Sequence, residues 1–201
     1  MGKRSAPEKA DIAVARAASP ARHNPTVKAL GWISEIADQP PLITLCALSA
    51  AAGVLLRRPR LAHTGARMLA GELVATRLKS MVKHRVDRTR PHVLADGGRY
   101  RASAGHHDDP ALNSFPSGHM AGAVAVARAP ARGYPEHAAT AYLGAAAIGA
   151  IQVPRSRHYP TDVAAGAVIG LVAEALVAAG SNLATTLAFN ARARTRTSRS
   201  G

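Results

Sequence analysis

RSRHYPTDVAAG, residues 155–166, sets a histidine four positions before an aspartate, with Pro160 between them, and leads into an Ala/Gly/Val run without charge until Glu174. Pro160 suits the first turn of a helix and Asp162 its acidic start, which leaves His158 just outside. A helix over 162–189 is therefore expected. A carboxylate that accepts the proton of one imidazole nitrogen fixes the tautomer and frees the other nitrogen as base or nucleophile. A lone pair of this kind is more often structural than catalytic, so its neighbours must decide.

Upstream, further helices are expected at 61–82, 117–129 and 138–153. Residues 40–56 (PPLITLCALSAAAGVLL) carry no charge and form the clearest membrane candidate, although they fall short of the roughly 20 residues a straight span needs. Only 3% of residues are aromatic, so alanine, leucine and valine must pack the core, which favours closely packed helices over sheets. The expected fold is all-α: a bundle of about five core helices, membrane-embedded, with an amphipathic helix near 26–37 on its N-terminal side. Residues 1–25 read as a basic, flexible leader without the apolar core of an export signal, 26–189 as the helical domain and 190–201 as a basic, flexible tail.

The chain has 201 residues, one domain by length, and a net charge of +14 that calls for an anionic partner. Zinc-finger, homeodomain and aromatic-rich RNA-binding signatures are missing and the basic residues are spread out, so no nucleic-acid partner is expected. The single Cys46 offers neither a disulfide nor a metal cluster, and no cofactor or metal is expected. Glu72, Thr76, Lys79 and Lys83 share one helical face, either a solvated stripe or one that descends into a polar pocket.

Two more clusters join the opening one. In KHRVDRTRP, residues 83–91, Lys83 and Arg90 lie seven apart, on one side if the helix continues, until Pro91 ends it. The cluster is a solvated helix end or an anion site. In NSFPSGHM, residues 113–120, Ser117 and Gly118 precede a helical run, so their backbone N–H groups can face an anion, with His119 in the first turn. An ordinary capped helix start is the alternative.

Taken in order, K-x6-RP at 83–91, PSGH at 116–119 and H-x3-D at 158–162 resemble the three signature motifs of the type 2 phosphatidic acid phosphatase superfamily. The resemblance spans roughly residues 26–180. It implies a metal-independent phosphatase of the membrane, acting on an isoprenoid or glycerolipid phosphate or diphosphate through a phosphohistidine. His158 would attack phosphorus, Asp162 would orient and charge-balance it, and His119 would protonate the leaving oxygen. Lys83, Arg90 and the amides near Ser117 and Gly118 would hold the nonbridging oxygens.

The third motif departs from the family. Its usual Ser-Arg, seven and six residues before the histidine, is here Ile151 and Gln152. Gln152 is expected to close its helix facing the phosphate, with Arg155, ahead of Arg157, turning back to supply the absent charge. The departure also keeps open a catalytically silent anion- or lipid-binding membrane protein. A vanadium haloperoxidase-like enzyme, which would use His158 as a vanadate ligand, is disfavoured by the short chain and apolar helices. A multi-pass membrane location is expected, and the distribution of Lys and Arg between the two faces leans towards a cytoplasmic site.

Overall fold

The computed structural model describes residues 4–105 and 107–197, with side chains to residue 184 and at 186. In chain order it comprises α1 (Ala6–Ala18), α2 (Pro25–Ser34), α3 (Gln39–Leu55), α4 (Pro59–Lys83), strand β1 (Val86–Arg88), the short α5 (Pro91–Ala95), strand β2 (Ala102–Ala104), α6 (Gly118–Gly133), α7 (Ala138–Ile151) and α8 (Pro160–Thr197). The expected all-α bundle is what forms. α6 is its axis, packed against α4, α7 and α8, while α3 lies along α4. Alanines dominate the buried face of α6, among them Ala121, Ala125 and Ala129. Glycines let α8 come as close: a Cβ on Gly166 would strike the Ser117 carbonyl, and one on Gly170 would lie 2.5 Å from the Ala121 carbonyl oxygen. That contact binds the start of α8 to the start of α6, bringing His158 and His119 to one end.

Three expectations change. The leader is not flexible over residues 6–18: α1 opens with a capping box in which Ser5 and Glu8 satisfy each other's backbone amides, and it buries Asp11, Ile12 and Ala15. α6 runs through Pro130 to Gly133 instead of ending at 129, because a proline in the last turn forfeits only one hydrogen bond. α8 runs on to Thr197, through much of the expected tail, and residues 198–201 lie outside the described residues. Inside the long loop 84–116, β1 and β2 pair antiparallel, with Val86 opposite Ala104.

One helical stretch, Pro160–Ala184, is long and apolar enough to cross a membrane by length and composition, and α3 is a shorter apolar helix. Leu48 and Leu55 on α3, Leu143 on α7 and Val168, Val172 and Leu176 on α8 turn outward and are exposed. Deeper in the bundle Glu174 is fully buried and meets three guanidinium groups: Arg67 at 2.7 Å, Arg128 at 3.0 Å and Arg132 at 3.2 Å.

Candidate active site

A cavity of about 220 Å³ opens at the end of the bundle where α6 and α8 begin, lined by Glu35, Asp38, Lys79, Lys83, Arg90, Gly118, His119, Arg157 and His158. The loop after α7 carries His158 into it. This loop is held by its own backbone: the amides of Arg157 and His158 both donate to the Gln152 carbonyl, at 3.1 and 3.3 Å. His158 is 3% exposed. Its Nδ1 lies 2.7 Å from the Ser114 carbonyl oxygen and 3.8 Å from Asp162 Oδ2. A carbonyl only accepts, so Nδ1 carries the proton and Nε2 is left with its lone pair. Burial pushes the imidazole pKa below the usual histidine range, while the Asp162 carboxylate opposes the shift, so the neutral ring prevails. The orienting partner expected in Asp162 is thus the Ser114 backbone, and Asp162 stands one step behind it.

Asp162 is itself fully buried and heavily bonded, accepting from Ser114 Oγ at 2.5 Å, from the Tyr159 amide at 2.8 Å and from Arg88 at 2.5 Å. Through Ser114 one residue therefore touches both members of the pair: its carbonyl holds His158 and its hydroxyl holds Asp162.

The cations arrive by different routes. α4 ends at Lys83, so Lys83 and Arg90 are not on one continuous helix; the turn through β1 returns Arg90, and both side chains reach the Asn113 carbonyl, at 3.5 and 3.3 Å. Lys79 lies one turn before Lys83 and completes the descending stripe. It approaches so closely that a Cβ on Gly118 would sit 3.0 Å from its Cδ, which gives the glycine a steric reason to be there. Gly118 lines the cavity, but Ser117 does not. The Ser117 amide donates to the Asp162 carbonyl at 3.0 Å and its hydroxyl caps α6, so of the two amides expected to face an anion, that of Ser117 is already taken.

The largest difference concerns the loop arginines. Arg155 does not turn into this cavity: its guanidinium donates to Ser34 Oγ at 2.8 Å and pairs with the Glu35 carboxylate. Gln152, fully buried, donates to the Ile148 carbonyl at 3.0 Å and to Ser34 Oγ at 3.2 Å, tying α7 to α2 and not facing an anion. Arg157 lines the cavity instead, near enough to Glu35 for its charge to help lower that carboxyl's pKa, and forms no salt bridge among the described residues. It also borders a neighbouring cavity of about 440 Å³, shared with Arg22, Lys28, Trp32, Glu35 and Arg155.

Two acids come with the cations. Glu35 lies 3.6 Å from His119 Nε2, and Asp38 caps α3 from the cavity rim. Neither stands in any of the three motifs. The arginine of Arg155 holds the Glu35 carboxyl below the usual carboxylate range against the effect of burial, so a negative charge faces His119. Among the described residues no group of three His, Cys, Asp or Glu side chains could hold a metal ion.

A helical bundle that gathers two histidines and four cations around one small cavity defines a phosphatase of the helical-bundle class. The sequence profile of the PAP2 superfamily matches residues 64–185, more than half of the chain, and the protein belongs to that superfamily. Among solved structures it is similar to the transmembrane PAP2-type phosphatidylglycerolphosphate phosphatase from Bacillus subtilis, with 22% identity and a TM-score of 0.63 over 89% of this chain and 88% of that one. LpxE from Aquifex aeolicus is similar at 22% identity and a TM-score of 0.55, over 81% of this chain and 91% of that one. No curated protein matches in sequence.

Proposed function

We propose that the protein is a multi-pass membrane phosphatase that hydrolyses a lipid phosphomonoester or diphosphate through a phosphohistidine on His158, with fixed cations in place of a metal. One observation carries this reading. A neutral imidazole, its Nδ1 proton held by the Ser114 carbonyl, borders a cavity with Lys79, Lys83, Arg90 and Arg157. Nε2 attacks phosphorus, the bond from phosphorus to the lipid oxygen breaks, and that oxygen takes the proton of His119. Burial lowers the His119 pKa, and the Glu35 carboxylate opposes that shift, on the side of the protonated ring that this step uses. Water then attacks the phosphoimidazole while the neutral His119 accepts its proton, and inorganic phosphate leaves. The four cations neutralise the nonbridging oxygens throughout, the largest electrostatic contribution the site offers.

The lipid character of the substrate follows from the apolar outer faces of α3, α7 and α8, which suit a bilayer and bring the cavity to its surface. The Bacillus subtilis and Aquifex aeolicus relatives are consistent with it. The purified chain, extracted in detergent, is expected to release phosphate from phosphatidic acid, phosphatidylglycerolphosphate or an isoprenyl diphosphate in mixed micelles and to retain activity in chelator. Absence of release from every member of that panel, with folded protein, removes the phosphatase reading.

A further inference from the structure

α1 reaches the catalytic pair through one arginine. Arg88, on β1, is 6% exposed and has each of its nitrogens engaged: Nη1 on Asp162 at 2.5 Å and on Thr161 Oγ1 at 2.8 Å, Nη2 on Asp11 at 2.7 Å, and Nε on the Tyr100 hydroxyl at 3.2 Å. Its guanidinium carbon lies 4.3 Å from the centre of the Tyr159 ring. Asp11 comes from α1, is 3% exposed, and accepts besides from the Thr161 amide at 3.1 Å and from the Thr161 hydroxyl. A buried carboxylate is a costly way to dock a helix, and docking does not need one, since Ile12 and Ala15 already pack on Tyr159.

The charge count gives Asp11 a purpose. Asp162 and Arg88 alone sum to zero; with Asp11 the buried triad carries one net negative charge. When Nε2 bonds to phosphorus, the bond to the lipid oxygen breaks and the imidazole keeps its Nδ1 proton. The ring then becomes a cation in a nearly buried position. We propose that Asp11 is a positioning residue for phosphoryl transfer: from the N-terminal helix it holds Arg88 and shares its charge, so that Asp162 retains the negative charge that phosphorylated His158 requires. This rests on the phosphatase reading above. The charges facing His158 are Asp162 on α8, Lys79 and Lys83 on α4, Arg90 after β1, Arg157 beside it, His119 on α6, and Glu35 and Asp38 between α2 and α3. Cations outnumber carboxylates at the cavity itself, so a negative charge behind it matters.

The test is Asp11→Asn in the full-length protein, in detergent, with phosphatidic acid in mixed micelles. The amide keeps the shape and removes the charge. kcat is expected to fall about tenfold with KM little changed, the pattern of a group that acts on the transition state. The acid limb of the rate profile moves to lower pH, because losing a nearby negative charge makes His158 harder to protonate. The basic limb, set by His119, stays. Arg88→Gln changes the charge by one unit the other way and moves the acid limb to higher pH, so it carries the test if Asp11→Asn does not accumulate. Asp11→Glu restores the wild-type limb, and Ile12→Ala, which only loosens the helix, lowers stability without moving it. Titration of the His158 ring by NMR in the free protein reads the same shifts without turnover. If Asp11→Asn and Arg88→Gln both leave the His158 titration in place, Asp11 only anchors α1 and the inference is wrong. If wild type releases no phosphate yet the ring titration shifts as described, the phosphatase reading fails and the charge coupling stands.

Discussion

The bundle holds two buried carboxylates among arginines, Asp162 and Glu174, twelve residues apart on the same helix, and they end differently. Glu174 takes three guanidinium groups directly, and among the described residues no histidine joins them. Among the described residues Asp162 takes a single guanidinium, that of Arg88, itself shared with Asp11, and lies 3.8 Å from His158, which opens on a cavity lined by four cations. A carboxylate saturated by cations has nothing left to offer a substrate. Among the described residues Lys83 and Arg90 hydrogen-bond to a backbone carbonyl and none of Lys83, Arg90 and Arg157 forms a salt bridge, which leaves their donors open to an anion. The first arrangement suits a structural role, and the second suits the site proposed above.

Breaking the site costs activity, and breaking the cluster costs stability. The largest loss is expected from His158→Ala, which abolishes lipid-phosphate turnover with an unchanged circular dichroism spectrum, since no other side chain in the cavity replaces the nucleophile. His119→Ala slows the reaction by roughly 10²–10⁴-fold for poor leaving groups and less for good ones such as p-nitrophenolate. Equal losses for both would make His119 a phosphate ligand. Arg157→Ala lowers kcat/KM by about tenfold or more, on the scale of one transition-state donor, and Arg155→Ala by clearly less. The reverse order would return Arg155 to the cavity. Glu174→Gln is the smallest in activity: kcat/KM stays near wild type, while three arginines lose their carboxylate and stability drops by about 3 kcal/mol, read by thermal or denaturant unfolding in detergent. The wild-type rate has its acid limb below the ordinary histidine range, because burial holds His158 neutral as the pH falls.

Much of this was legible in the chain. The apolar runs mark α3, α6, α7 and the start of α8 to within a few residues, because alanine-rich segments bounded by proline and glycine have few other ways to bury themselves. The order of the three motifs places two histidines at one end, while the spacing of Glu72, Thr76, Lys79 and Lys83 leaves a solvated stripe and a polar pocket equally open, and only Lys79 and Lys83 of the four line the cavity. What stayed hidden depends on contacts between distant segments. Nothing local says that Arg155 will meet Glu35, 120 residues earlier, and so leave the cavity to Arg157. Nor does the basic leader announce that Asp11 will find Arg88, 77 residues on. One signal was present there: Ser5-Ala-Pro-Glu8 is a capping box with proline in the first turn, enough to mark a helix where composition suggested a flexible arm.

The central claim is that His158 carries the phosphoryl group. The direct measurement is acid- and base-quenched labelling of the detergent-solubilised enzyme with ³²P-phosphatidic acid, followed by peptide mapping. The account predicts a base-stable, acid-labile phosphate on the peptide containing His158, present in wild type, increased when His119→Ala slows hydrolysis more than transfer, and missing from His158→Ala. Phosphate release by His158→Ala at the wild-type rate, or a label that maps to another residue, would contradict it.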